Sequence, residues 1–517
     1  MSFVSFGLAF GIGLLTVLLI TIIRLVFVLY IRPYFKLKKL KGIGGIVNYS
    51  SAGLASTFQK DQRIHKDYFH LFRSLAKTQP KHRFFASNIG EAIWVFLRDP
   101  KLIEAYIKSQ SKYKRLNSSV LFATLFPSST LVAEGAIWQA HRNVYDSILT
   151  QKFVDRAIPM IFDTTLEYIT YIDPMKSTLD CGSFCKTIIG EVFARLFFGK
   201  KLQNFKLENG MTLGDMFSLM ATGISECGTS FWATLFGTKF VLKGYIPVHQ
   251  RLISSVKIFK KFVLSVVKDR KKLREQGKPQ DFQEHTLIDA IFEHQKNHLE
   301  TIIDAEVFDE FISFFIAGLE TTAQVATLCI TEMAKNVEYR NAALKEASDL
   351  FKNQAKFNLQ KLNSLPFLEA ITKESTRLNP PIVSCLARQA SETHQLEDVI
   401  IPKGAQVQIG ILQNHVNQDN FKDAEVFDPY RWINGSERYV AINEEKANYE
   451  FCPFSTGPRK CIGEDLAKTI CKIILACFVK RFDFRLDART QLTMTATPTY
   501  QPEGQVLLSI RRGSFAG

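Results

Sequence analysis

The sequence predicts a mainly α-helical fold with small β-sheets, preceded by one N-terminal transmembrane helix. Three observations predict it. Long stretches repeat apolar residues at helical spacing, strand-like runs are few and gather late, and residues 3–23 carry no charged side chain.

The N-terminal run comes first. A helix of roughly 20 apolar residues crosses a bilayer. Arg24 interrupts the run near its end, where a long side chain reaches the headgroups, and Leu25–Ile31 continues it. A basic stretch follows, with Arg32, Lys36, Lys38, Lys39 and Lys41. A cleaved signal peptide would begin with basic residues, and Met1-Ser2-Phe3 has none. The excess of positive charge after the run keeps the rest of the chain on the cytoplasmic side. Tyr30, Tyr34 and Phe35 suit the membrane interface. Residues 1–31 are therefore read as an anchor and 32–60 as a connector, basic at first and then Gly/Ser-containing. No clean linker follows, so 61–517 is read as one domain.

Within that domain, Phe184–Phe198 reads as a buried helix ended by Gly199. Arg251–Glu275 reads as a long amphipathic helix, since Leu252, Val256, Phe259, Phe262 and Val266 share one face. Its basic end, Lys268–Arg274, is a solvated face. Ala305–Lys335 is too long and apolar for a surface element and is expected to cross the core. The apolar segment Phe231–Tyr245 is a second place where the chain could dip into lipid. Strand signals appear at Val399–Ile401, Val407–Ile409 and Val506–Ile510, the last after a turn at Pro502-Glu503-Gly504.

A net charge of +15 suits anionic lipid or an acidic protein partner. No zinc-finger or RNA-binding signature accompanies it, which argues against nucleic acid. The nine cysteines show no pair-of-pairs zinc spacing, and Cys181 and Cys185 have no other metal-ligand type nearby. Most therefore read as small buried thiols in a reducing compartment.

Cys461 is different. It lies in Phe454-Ser455-Thr456-Gly457-Pro458-Arg459-Lys460-Cys461-Ile462-Gly463, ahead of a helical pattern with the apolar stripe Ile470, Ile473, Ile474 and Cys477. The start of a helix offers free N–H groups and the positive end of the dipole, which favour a thiolate. Gly457 and Gly463 would let backbone approach a flat ring, Arg459 could pair an anionic edge of that ring, and Phe454 could shield the sulfur. Such a frame suits a thiolate bound to a porphyrin iron.

This segment resembles the haem-binding signature of the cytochromes P450. Four further motifs of that family occur in the family's order over residues 138–463. Trp138-Gln139-Ala140-His141-Arg142 resembles its Trp-x-x-x-Arg, whose Trp and Arg reach a haem propionate. Ala317-Gly318-Leu319-Glu320-Thr321-Thr322 is similar to its oxygen-activation motif. There Gly318 leaves room for dioxygen, the Thr321 hydroxyl bonds back to a carbonyl and loosens the helix, and Glu320 relays protons. Glu374-Ser375-Thr376-Arg377 matches its Glu-x-x-Arg, and Phe427-Asp428-Pro429-Tyr430-Arg431-Trp432 resembles the segment whose Arg431 completes a structural network with Glu374 and Arg377. Arg388 falls where many members place another propionate partner. The Pro-rich hinge usual after the anchor is replaced by Gly42-Ile43-Gly44-Gly45.

The resemblance implies a cytochrome P450 fold and a haem-thiolate monooxygenase with haem b as cofactor. NADPH and flavins would act indirectly, through NADPH–cytochrome P450 reductase, with cytochrome b5 as a further donor. Cys461 would be the iron ligand, Thr321 and Glu320 the catalytic pair. Lys460, Lys468 and Lys472 flank the loop where an acidic donor would dock. The expected pocket wall, Val120–Val132, Phe311–Ile316, Pro381–Leu386 and residues near Thr499, is mostly apolar, so the substrate is expected to be lipophilic, such as a sterol, fatty acid or xenobiotic. The expected location is the endoplasmic reticulum membrane, single-pass, with the catalytic domain facing the cytoplasm. Rival readings are a desaturase or isomerase of the same type, or a non-catalytic haem-binding protein.

Overall fold

Apolar periodicity becomes helix wherever the described chain carries it. The computed structural model describes residues 3–40, 42, 44–49, 53–89, 92–115, 120–172, 178–199, 207, 210–211, 213–228, 238–276, 286–298, 302–352, 358–439, 447–496 and 499–513. The helices that matter for the site are, in chain order, α1 (Phe3–Val26), α2 (Arg32–Lys39), α3 (Gly135–Ile148), α4 (Gln151–Thr170), α5 (Cys181–Phe198), α6 (Pro247–Glu275), α7 (Asp304–Lys335), α8 (Val337–Lys352), α9 (Pro366–Leu378) and α10 (Glu464–Arg481). The strands are β1 (Gly45–Asn48), β2 (Phe84–Ile89), β3 (Ala92–Leu97), β4 (Tyr113–Arg115), β5 (Thr178–Asp180), β6 (Cys385–Ala390), β7 (His394–Leu396), β8 (Val399–Ile401), β9 (Gln406–Ile409), β10 (Phe482–Leu486), β11 (Met494–Ala496), β12 (Tyr500–Pro502) and β13 (Leu507–Arg512).

The chain divides into two compact units. The first holds residues 1–116, 383–425 and 442–459, and the second 117–382, 426–441 and 460–517. The chain returns to the first unit twice, so no single linker marks the division.

The first unit is built on a mixed sheet in the order β1-β2-β3-β9-β6-β4. β2 and β3 pair antiparallel, while β3 and β9 run parallel. Phe84, Val95, Leu97, Val407 and Ile409 from these strands form its core, and Leu37 at the end of α2 joins them. One π turn, Phe27–Ile31, links α1 to α2, so helical backbone runs from Phe3 to Lys39. α1 is 24 residues long, and its apolar run over described side chains, Leu15–Val26, is alone shorter than a bilayer span. Those side chains are exposed, Leu18 at 55% and Ile20 at 60%.

The second unit is organised around α7, which packs on α5, α10, α9 and α8. This is the core-crossing helix that the sequence predicts, and it is mostly buried despite being apolar enough to span a membrane. The abundance of Phe in the sequence has its explanation here. Phe197 and Phe198 of α5 meet Phe311 of α7 at ring-centroid distances of 4.9 and 4.5 Å, and Phe262 of α6 packs on Phe198 at 5.6 Å. α5 ends at Gly199 in the left-handed conformation, with φ of 69°. An added Cβ there would lie 2.1 Å from Arg270 Nη2, which donates to the Phe198 carbonyl at 2.8 Å. Small antiparallel sheets complete the unit, β10-β13-β5 and β11-β12. Residues 231–237 of the segment expected to touch lipid lie outside the described residues, as does the Val120 side chain of the expected pocket wall.

Candidate haem-thiolate site

Of the nine cysteines, Cys461 alone is exposed. It follows a short 3-10 turn, Gly457–Arg459, and precedes α10, whose first turn carries Glu464 and Asp465 where the helix dipole favours acids. Solvent reaches the Cys461 side chain although protein crowds its surroundings. Burial pushes the thiol above its ordinary range, outweighing the Gly463 N–H, Arg142 and Lys460, which act the other way. An added Cβ at Gly463 meets nothing within 4 Å, so the backbone beside the thiol borders open room. The Gly457 φ is +74°, and a Cβ there would lie 2.8 Å from Ile107 Cγ2, so glycine suits both the turn and the packing on Ile107.

Arg142, on α3, reaches this loop. Its Nη1 donates to the Lys460 carbonyl at 2.6 Å and its Nε to Asp146 Oδ1 at 2.9 Å. The guanidinium expected to hold a propionate thus grips the peptide one residue before Cys461. Trp138 lies one turn earlier on the same helix and is half-buried.

The motif Ala317–Thr322 lies on α7 of the same unit. Ala317 is exposed in the middle of this mostly buried helix, and α7 packs on α10. Thr321 Oγ1 donates to the Ala317 carbonyl at 2.6 Å, four residues back. The helix stays continuous through this bond rather than loosening, as Asp304–Lys335 is unbroken. Glu320 Oε2 lies 2.8 Å from Lys186 Nζ on α5, a half-exposed partner that the sequence did not reveal. An added Cβ at Gly318 would lie 2.3 Å from Phe193 Cζ, so this glycine lets the Phe193 ring of α5 pack closely on α7.

The structural network forms as the motifs imply. Glu374 Oε2 accepts from Arg377 Nε at 2.8 Å, and Oε1 from Arg377 Nη2 at 2.7 Å and Arg431 Nε at 3.0 Å. The Asp428 N–H adds a bond of 2.9 Å, and Trp432 Nε1 another of 2.9 Å to Oε2. Both arginines also donate to the Val426 carbonyl. Burial would raise the Glu374 carboxyl, but the Arg377 and Arg431 charges and these hydrogen bonds hold it below the usual carboxylate range. Trp432 replaces no function here; its indole N–H is one of the donors.

Phe454, Gly457, Arg459 and Arg388 belong to the first unit, while Cys461, Gly463, Trp138, Arg142, Gly318, Glu320 and Thr321 belong to the second. Arg388 Nε is buried, and no described residue accepts from it. A donor in that state suits an anionic ligand group. The lysines expected to dock a donor are engaged within the chain. Lys460 and Lys468 pair with Glu464 at 2.8 and 2.6 Å, and Lys472 pairs with Glu369 at 2.9 Å. Lys472 is only 4% exposed, so it is a core ion pair and no part of a docking face.

A family model described as Cytochrome P450 matches residues 54–511. Among curated proteins, the chain is similar to Cytochrome P450 4c21 of Blattella germanica, 24% identical over 79% of this chain and 82% of the relative. A Cytokinin hydroxylase of Arabidopsis thaliana is 25% identical over 74% of this chain and 71% of the relative. Cytochrome P450 4F8 of Homo sapiens is 29% identical over 47% of each chain.

Proposed function

The chain belongs to the cytochrome P450 family, and from that premise we propose that it is a membrane-anchored monooxygenase that hydroxylates a lipophilic substrate. Monooxygenase chemistry is common to the family. The observation that carries the site assignment is the exposed Cys461 thiol at the head of α10, with open room beside Gly463 and an exposed Ala317 on the core helix packed against α10.

The residues present fit haem b. Within the second unit, Cys461 would hold its iron, Gly463 would leave space for the ring, and Trp138 and Arg142 are the candidates for its anionic edge. Bound there, the haem supplies dioxygen activation and the redox chemistry. The chain holds the thiol in place through the Arg142–Lys460 bond. It presents the Thr321 hydroxyl at a fixed point on α7, with its proton directed to the Ala317 carbonyl until a better acceptor arrives. It keeps a carboxylate, Glu320, in a half-exposed ion pair with Lys186, where a proton can be taken from solvent and passed inward. Phe311, Phe314 and Phe315 of α7 pack in an apolar core that keeps water from this part of the helix.

Electrons are assigned to an NADPH-dependent flavoprotein reductase, with cytochrome b5 as an additional donor. The exposed apolar helix α1 and the basic α2 support single-pass insertion in the endoplasmic reticulum membrane with the enzyme on the cytoplasmic side. The test is to load the purified chain with haem and record the ferrous carbon monoxide spectrum. The wild type is expected to give the red-shifted thiolate band and Cys461→Ser to lose it; retention in the variant would mean another ligand. Product analysis under labelled dioxygen then separates hydroxylation, which incorporates label, from desaturation, which does not.

A further inference from the structure

The sequence motif around Arg142 contains a second residue with unusual surroundings. His141 is 2% exposed and sits on α3 beside the first turns of α7. Its Nδ1 lies 2.7 Å from Glu310 Oε1 and its Nε2 3.1 Å from Glu306 Oε2. Those two carboxylates are one helical turn apart on α7, so a single imidazole bridges both. Glu310 is itself 1% exposed and also accepts from the Thr130 N–H at 2.6 Å and the Thr130 hydroxyl at 2.8 Å. Next to it, Asp309 accepts from the Ser128 N–H at 3.1 Å, and the Ser129 and Ser313 hydroxyls bond to one another. Three separate pieces of chain, α3, α7 and the 128–130 segment, are therefore joined through the Glu310 carboxylate.

Burial opposes charge on His141, but the Glu310 and Glu306 carboxylates outweigh it and raise its pKa. With both ring nitrogens donating to carboxylates, the imidazolium is the form that satisfies the site. A buried pair of this kind contributes little net stability compared with an apolar filling, but it fixes one arrangement of the elements it joins. Here the arrangement has a consequence one residue along the chain. Arg142 leaves α3 next to His141 and holds the Lys460 carbonyl.

We propose that His141 is a positioning residue: clamped between Glu306 and Glu310, it sets α3 against α7, and through Arg142 it sets the peptide that presents Cys461. The inference rests on Cys461 being the haem ligand. It assigns no contact between His141 and haem or substrate.

The experiment compares haem-loaded wild type, His141→Gln, Arg142→Ala and the double variant. Two quantities are read on each: the fraction of ferrous carbon monoxide complex in the red-shifted thiolate form, and the thermal midpoint. His141→Gln is expected to lower the thiolate-to-non-thiolate ratio by roughly tenfold, about 1.4 kcal/mol in that equilibrium. The double variant is expected to lose no more than Arg142→Ala alone, because both act on one path. A thiolate ratio unchanged in folded His141→Gln, or losses that multiply in the double variant, would overturn the proposal even if the melting point falls. Should His141→Gln fail to take up haem, Glu306→Gln removes only the outer carboxylate and is read by the same ratio. A wild type without the thiolate band would instead refute the assignment of Cys461, so the two failures are distinguishable.

Discussion

Replacing Glu374 by Gln tests whether the network behind the site is a structural element or a surface ornament. The side chain is 0% exposed, as is Arg377, and Arg431 is 4% exposed. Five N–H groups converge on its two oxygens: Arg377 Nε and Nη2, Arg431 Nε, the Asp428 backbone and Trp432 Nε1. Glutamine keeps the shape but turns one acceptor oxygen into a donor, which then faces N–H groups. It also leaves two buried guanidinium groups without their counter-charge. Hydrogen bonds to charged groups contribute about 1.5–3 kcal/mol each, but they are not additive when they share one carboxylate. The better guide is the loss of one partner of a buried ion pair, about 3–5 kcal/mol. Against a typical stability of about 5–15 kcal/mol, that is enough to depress the folded population visibly. Urea unfolding followed by circular dichroism is the assay, with haem retention measured alongside. The midpoint should fall with little change in slope. A loss below about 1 kcal/mol, the range of an exposed pair, would refute the reasoning.

Two further predictions follow from the same geometry. Gly318→Ala places a methyl group 2.3 Å from Phe193 Cζ and should destabilise by about 1–3 kcal/mol through overpacking, with Phe193→Leu restoring part of the loss in thermal melts. If Gly318→Ala melts like wild type yet loses oxygen reactivity, the glycine serves the oxygen site after all. The pH dependence of the urea midpoint should have two limbs. The Glu374 carboxyl is depressed in the fold, so its contribution is present above about 4.3 and is lost as pH falls through its lower native value; Glu374→Gln should flatten that acid limb. His141 is raised, so its contribution is present below about 6.5 and is lost as pH climbs through its higher native value; His141→Gln should flatten the alkaline limb. Asp309, raised to about 6 mainly by burial, loses stability on ionising and so opposes the Glu374 gain as pH rises towards 6.

Much of this fold was legible because its signals are local. The α7 pattern, the Gly199 stop and the Pro502–Gly504 turn each depend on residues within a few positions of one another, and each appears where the sequence places it. β2 and β3 were not legible for a physical reason. A strand buried on both faces has no alternation to read, and Ala92–Leu97 is nearly continuous apolar sequence. The Lys460 and Lys468 pairings could have been found, since both stand four residues from Glu464 on the approach to α10 and within it.

What local reading cannot supply is the partner across the fold, and that limit falls hardest on the site. The spacing of Ala317, Gly318, Glu320 and Thr321 identifies a motif but says nothing of what each residue meets. Glu320 meets Lys186 and Gly318 lies against Phe193, both on α5, and neither partner is near them in sequence. The same holds for His141. In the sequence it is a spacer between Trp138 and Arg142; in the fold it is the one ring shared by two carboxylates of another helix. A motif therefore fixes which side chains are offered to the chemistry, while residues outside its consensus fix how firmly they are held. That division is why the thiolate ratio, which reads the holding of Cys461 rather than its presence, is the measurement most sensitive to the part of this protein that its motifs do not spell out.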